Sequence, residues 1–405
     1  MPAIPLGWLV RLNQRVLLLA KLSHERLLAF AYLAYFGVLG VFVPYIGLYL
    51  DSRGLNSHDI GLLLAIVTGM RIVGPSLWAQ FAERRGDPVW VMRFGAVLAT
   101  LGWCSSFIDG GYGLLLVGLS IYSLCWTAIL PQLETSAFHY LENNTARYSK
   151  VRSAGSVGYI LLVVLGGYLL EQFGPEFLPA SALLFLLLML LTLWQLPKFE
   201  LGHAQDGEAV KFRLLWRHRA FLVFMLAAFL LQVSFAPFYS FFTIYTRDLG
   251  YSGTESGLFI GLAVAAEIVA FYFAGKVLNN RSYRNLLSLC YGLTAIRWTL
   301  VAFFAAEPII LALSMLLHAF SFALAHSCAM QFIQQFFPKP QRSRGQALYA
   351  GLVYGGGGAV GAYICGWTWQ DGAGSTLSFL LAGGVALAAA MLTWTLPKHI
   401  AAFGK

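Results

Sequence analysis

Gly54-Leu-Asn-Ser-His-Asp59-Ile-Gly61-Leu62 opens an apolar run that reaches Arg71, and Gly250-Tyr-Ser-Gly-Thr-Glu255-Ser-Gly257-Leu258 opens another that reaches Glu267. The two stretches match at a constant offset of 196 residues: glycine on glycine, acid on acid, and one ionisable group on another of opposite charge. A chain of 405 residues with such an offset reads as two similar halves. Each half sets a charge in the middle of a hydrophobic helix. Charges at that depth are costly and mark function. A duplicated membrane protein that turns them toward a shared axis reads first of all as a transporter.

Composition agrees. The chain is 59% hydrophobic and 11% charged, against about 25% charged in a soluble domain, so most of its outer surface must face lipid. Apolar stretches lie near 27–50, 58–82, 88–108, 112–140, 148–171, 176–197, 218–246, 255–276, 284–305, 308–336, 344–368 and 373–396. Most reach the roughly 20 residues that a bilayer crossing takes; we number them span one to span twelve. The net charge of +9 is a matter of topology. Of the 27 basic residues, 23 fall in the N-terminal arm, the even-numbered connections or the tail, whereas Arg53 and Arg247 lie opposite and Arg71 and Arg297 lie within spans. The positive-inside rule then puts both termini in the cytoplasm, and no nucleic-acid partner is implied.

The organisation expected is a cytoplasmic arm over 1–26, a six-helix bundle over 27–197, a polar linker over 198–217, a second bundle over 218–396 and a tail over 397–405. The arm is open to two readings, a basic amphipathic helix on the membrane surface or an unstructured segment. The five cysteines all fall in apolar spans with no Cys-x-x-Cys pair, so packing rather than zinc is their role. The Gly355 to Gly358 run lies inside an apolar span with no Lys-Ser/Thr after it, and no Walker A, His-Glu-x-x-His or Gly-x-Ser-x-Gly pattern occurs. No enzyme chemistry, metal or cofactor is expected. Energy would come from an ion gradient.

Seven ionisable groups fall within the spans and away from most headgroup anchors: Arg71, Glu134, Arg152, Glu267, Arg297, His318 and His326. Lipid does not tolerate isolated charges, so these should pair and face an interior cavity. Glu134 and Arg152 sit where antiparallel spans four and five bring them together, either as a loop-fixing ion pair or as a substrate-binding pair. Tyr159 lies two turns beyond Arg152 on the same face, as a stacking platform or as core. Glu267 and Arg297 are a fixed salt bridge or a switchable one, since burial favours a protonated carboxylate and a guanidinium favours the charged form. His318 and His326 share one face of span ten, as proton relay, ligand donors or hydrogen-bonded core. Arg71 anchors a substrate carboxylate or pairs with Glu134 or Glu267.

Arg147-Tyr-Ser-Lys-Val-Arg-Ser-Ala-Gly-Ser-Val-Gly-Tyr159, with Pro131 and Glu134 upstream, resembles the start of helix five in the lactose permease branch of the major facilitator superfamily. The resemblance lends sugar-binding roles to Glu134 and Arg152 and a stacking role to Tyr159. Glu267, Arg297 and His318 resemble that branch's carboxylate, arginine and histidine of proton coupling and substrate binding. The coupling carboxylate expected three residues after the histidine is here Ser321. Arg297-Trp298, Leu317-His318 and His326-Ser-Cys-Ala-Met330, together with Ile60-Gly-Leu-Leu-Leu before Arg71, are closer to the phenylpropionate permease group of the same superfamily. Ala79-Gln-Phe-Ala-Glu83-Arg84-Arg-Gly86 resembles a degenerate form of the superfamily's gating motif, which points to Glu83, Arg84 and Gly86.

The expectation is therefore an all-α membrane protein of the major facilitator fold, with twelve transmembrane helices in two pseudo-symmetric six-helix bundles. It would act as a monomeric, proton-coupled symporter in a bacterial-type inner membrane. An aromatic or other small carboxylate is the favoured solute, a glycoside or nucleoside the alternative. An exporter of drugs or metabolites and a non-transporting sensor are the rival classes.

Overall fold

The computed structural model describes residues 6–200, 215, 218–279, 281–338 and 341–397, with side chains from His24 onward except Thr145. Most of the expected linker (201–214, 216 and 217) and tail (398–405) lies outside the described residues, as do the side chains of Arg11, Arg15 and Lys21 in the arm. Among the described residues every regular element is helical.

The repeated motif has a local physical reason in both copies. Gly54 (φ +78°) and Gly250 (φ +90°) turn the chain through the left-handed region that glycine adopts without strain. Two residues later Asn56 and Ser252 cap the next helix, accepting from the N–H of Asp59 and Glu255 respectively. Glu255 returns the bond to the Ser252 N–H in a full capping box. Span two (Ser57–Arg85) and span eight (Gly253–Leu278) therefore start alike.

The other spans follow as antiparallel neighbours. Span one is a single helix, Leu6–Ser52, so residues 6–26 continue it rather than standing apart from it. Spans three to six are Pro88–Trp103, Gly111–Trp126 continued by Ile129–Tyr140, Thr145–Phe173 and Leu178–Gln195. In the second half, spans nine and twelve are Tyr283–Phe304 and Ser375–Thr393. Among the described residues eleven helices are long and apolar enough to cross a bilayer. The twelfth crossing, span seven, is broken into Arg219–Ser234, Ala236–Ser240 and Phe242–Asp248. Pro237 withholds an N–H there, and Phe241 leaves helical geometry at φ −131°. Spans ten and eleven each contain a widened π-helical stretch, Ala319–Leu324 and Ala350–Gly357.

The halves meet most tightly on the face opposite the termini. Gly61 and Gly366 approach so closely that a Cβ on Gly61 would lie 2.4 Å from the Gly366 Cα, bringing spans two and eleven into backbone contact. Two carboxylates then tie the halves in a matched way. Asp371, just past span eleven, accepts from the Ser57 N–H (2.7 Å) and hydroxyl (2.6 Å) with Oδ1, and its own N–H donates to Ser57 Oγ (2.7 Å). Glu171, at the end of span five, accepts from the Thr254 N–H (3.0 Å) and hydroxyl (2.7 Å) with Oε2. Each carboxylate thus meets the N-terminus of a helix in the other half, where the helix dipole favours negative charge. Gln370 and Asp371 adopt left-handed φ of +49° and +50°, strained for non-glycine residues, and the Ser57 bonds hold that turn.

Toward the termini the halves splay. The buried positions of span two run from Ser57 to Val67, with only Gly74 and Ala82 beyond. Those of span eight run from Ser256 to Ala263, with only Ala274 and Leu278 beyond. Past that depth Ile72, Val73, Leu77 and Phe81 of span two, and Ile268, Val269 and Phe271 to Phe273 of span eight, are exposed. The central cleft is sealed on the far face and open on the face bearing the termini.

Candidate functional site

Arg297 is the most deeply placed charge, with 0% of its surface exposed. Span nine seats its guanidinium 4.3 Å from the Trp298 ring centre and 4.6 Å from that of Phe238, so aromatic faces carry part of the cation's desolvation cost. Its Nη1 lies 2.5 Å from His318 Nδ1, and His318 Nε2 lies 2.5 Å from Glu267 Oε1. A guanidinium only donates, so Nδ1 must accept, and the neutral imidazole then carries its proton on Nε2, facing the carboxylate. The three groups form one directed chain, Arg297 N–H to His318 to Glu267. Glu267 and Arg297 were expected as a direct salt bridge; the imidazole stands between them and passes polarity from one to the other.

That chain constrains where a proton can land. Protonating His318 at Nδ1 would set two donors face to face and expel Arg297. Protonating Glu267 at Oε2 leaves Oε1 free to accept from Nε2–H. The carboxylate is the group that can gain a proton without breaking the chain.

Spans four and five bring Glu134 and Arg152 together, at 3.8 Å between Oε1 and Nε. Arg152 lies 4.0 Å over the Phe36 ring, and Tyr148 donates to Glu134 Oε1 at 3.4 Å. Tyr159 is partly buried where span five packs on span one: a Cβ on Gly40 would lie 2.7 Å from the Tyr159 carbonyl oxygen. Tyr239, on the second stretch of span seven, stacks on Phe235 and meets Phe238, the ring that faces Arg297.

Arg71 differs from the rest. Among the described residues its guanidinium forms neither an ion pair nor a hydrogen bond. It does not pair with Glu134 or Glu267, which are held by Arg152 and His318. Its backbone packs on the glycine run of span eleven: a Cβ on Gly355 would meet Ile72 Cγ1 at 2.8 Å and the Arg71 carbonyl carbon at 3.3 Å. Glycine at 355 lets span eleven pack this closely on the backbone that carries Arg71.

His326 stands outside the proton chain. Its Nδ1 lies 2.8 Å from the Tyr354 hydroxyl, and no carboxylate is among its partners. The relay expected from two histidines on one face of span ten is interrupted because Phe322 occupies the turn between them. In the gating motif, Gly86 (φ +73°) terminates span two, while Glu83 and Arg84 are exposed and form no ion pair among the described residues. Asp87 instead caps span three at the Trp90 N–H. Among the described residues no group of three His, Cys, Asp or Glu side chains lies close enough to hold a metal ion.

Tyr239 and Tyr354 were not singled out in the sequence. Both are polar side chains within apolar spans. Tyr354 directly precedes the glycine run, and that adjacency was the available signal.

A sequence profile described as MFS_1 like family matches residues 26–381. The chain is 28% identical over 360 residues to the probable 3-phenylpropionic acid transporter of Escherichia coli (strain K12), covering 86% of this chain and 92% of that one. It is 25% identical over 336 residues to the maltose permease of Geobacillus stearothermophilus, covering 82% and 84%. Among solved structures, the nucleoside transporter NupG superposes with a TM-score of 0.79 at 15% identity, over 93% of this chain and 99% of that one. A D-xylose-proton symporter superposes with a TM-score of 0.70 at 16% identity, over 93% and 98%.

Proposed function

This chain belongs to the MFS_1 like family of major facilitator transporters, and from that premise we propose that it is a proton-coupled symporter importing a small carboxylate, preferably an aromatic one. It would sit in an inner membrane with both termini in the cytoplasm, and the open face of the cleft would be the cytoplasmic one. The observation that carries the substrate class is Arg71, a mid-membrane cation without an anionic partner among the described residues. An unpaired charge at that depth is costly, and a substrate carboxylate would complete it, bound bidentately by the guanidinium fork. The relative described as a phenylpropionic acid transporter supports the same class.

In the proposed cycle a proton arrives on Glu267 from the outer side. Neutralising that carboxylate loosens its hold on His318 and lowers the cost of closing the cleft around the substrate. Opening toward the cytoplasm hydrates the site; substrate and proton leave, and Glu267 returns to its ionised form, still accepting from His318. Uptake of phenylpropionate into liposomes holding the purified protein, driven by an inside-alkaline pH gradient, tests this. Accumulation abolished by a protonophore and by Arg71→Gln is expected. Uptake indifferent to the gradient, or no uptake, overturns it.

The Glu134–Arg152 pair gives a second reading some ground, because an adjacent acceptor and donor also suit sugar hydroxyls. Gradient-driven uptake of maltose in place of phenylpropionate would decide for that reading.

A further inference from the structure

We infer that His326 and Tyr354 form a hydroxyl-reading end of the substrate site, so that the preferred ligand is an aromatic carboxylate bearing a hydroxyl on its ring. The inference rests on the proposed carboxylate reading and refines it.

The pair lies where two unusual pieces of backbone meet. Tyr354 is inside the π-helical stretch Ala350–Gly357, and His326 follows directly on the other, Ala319–Leu324. Such widened turns are rare and recur at functional sites. The 2.8 Å bond between His326 Nδ1 and Tyr354 Oη ties them together. Both side chains are half-buried, and His326 meets the ring of Phe271, which is 42% exposed on the cleft side of span eight, one turn from Glu267.

Position relates the pair to the anchor. Gly355 rests on the backbone of Arg71 and Ile72, and Tyr354 is its neighbour in sequence. A ligand whose carboxylate meets Arg71 thus has the Tyr354 end of span eleven within its reach. The wall there is aromatic: the Phe322 ring lies 6.0 Å from His326 and 6.2 Å from Tyr354, centre to centre. An aryl ring suits that wall, through offset or edge-to-face contact.

The chemistry of the pair selects what the ring should carry. If Tyr354 donates to Nδ1, His326 offers Nε2–H as a donor and the phenolic oxygen remains an acceptor. If Nδ1–H donates instead, Tyr354 offers its O–H and Nε2 accepts. In either tautomer the pair shows one donor and one acceptor, the complement of a phenol, which is both. A bare ring leaves neither residue orphaned, because each satisfies the other. The hydroxyl is therefore rewarded rather than required, and the preference should be modest, about three- to tenfold, the scale of one neutral hydrogen bond.

The test uses full-length protein in nanodiscs and the affinities of phenylpropionate and its meta- and para-hydroxy forms, read as a ratio. The wild type should favour at least one hydroxylated acid by about three- to tenfold, and Tyr354→Phe and His326→Phe should each bring that ratio close to one. A variant that merely folds poorly loses affinity for all three acids in proportion and keeps the ratio; a preserved ratio overturns the inference. Equal affinity of the wild type for all three acids overturns it and leaves the carboxylate reading standing. Binding of none of them overturns both.

Discussion

Arg247 pairs with Asp51, the residue 196 positions before it and therefore its own counterpart in the other half, at 2.5 Å between Nη1 and Oδ2. A residue meets its own counterpart only where the axis relating two halves passes between them. The pair marks where that axis leaves the sealed face, and the Ser57–Asp371 and Thr254–Glu171 links flank it on either side. One ancestral motif thus supplies both the start of the second helix in each half and the surface on which the halves lock.

Exchanging the charges tests the central pair. Asp51→Arg and Arg247→Asp should each speed alkylation of a cysteine placed at Thr243, whose hydroxyl donates to the Pro44 carbonyl across the same seam (2.7 Å). The double exchange should restore the slow rate. Both side chains are about two-fifths exposed, so the coupling energy should be small, about 0.2–1 kcal/mol. Singles and double that label equally fast would show that the pair closes nothing.

The flanking links should act independently of each other. Asp371→Asn and Glu171→Gln remove the charge that faces a helix N-terminus, and each should raise the same labelling rate about two- to fivefold. Because the links share no partner, the effects should multiply in the double variant. An effect confined to one of the two would show that the seam bears its load asymmetrically.

Gly355→Val should displace span eleven from Arg71 and cut carboxylate affinity by at least about tenfold, since the atoms its Cβ meets include backbone that cannot rotate away. Gly384→Val, where nothing lies within 4 Å of the added carbon, is the control. Equal losses in both variants would remove Gly355 from the account of the anchor.

The directed chain predicts a split at His318. His318→Phe leaves a fully buried Arg297 without its acceptor, which should cost about 3–5 kcal/mol of stability, read as a lowered melting temperature in detergent. His318→Gln keeps one donor and one acceptor and should restore most of it. Glu267→Gln should spare downhill exchange yet abolish accumulation against a gradient. Unchanged uphill transport in that variant would end its role as sole proton carrier.

Much of this was legible in the chain. The constant offset gave two bundles, because a duplicated pattern of turn glycine, cap and acid has one local meaning wherever it occurs. Glu134 and Arg152 were placeable together because short connections force neighbouring spans to run antiparallel. What the sequence hid depends on contacts between distant spans. Glu171 and Asp371 read as ordinary carboxylates at helix ends until the crossing of spans five with eight and two with eleven sets them on foreign N-termini. The break in span seven was hidden as well, since Pro237 sits in an apolar run whose length alone suits a single helix. Arg297 and Glu267 carry opposite charges in adjacent spans, which suggests direct pairing; only the side-chain directions put His318 between them.

The bare terminal-side halves of spans two and eight have a consequence for the surrounding lipid. Their flank in that leaflet is wide when the cleft is open and would narrow on closure, so neighbouring acyl chains would have to rearrange in every turnover. The resting balance between the two shapes is then partly a property of the bilayer. Tail length and lateral pressure in a single leaflet become levers on its speed.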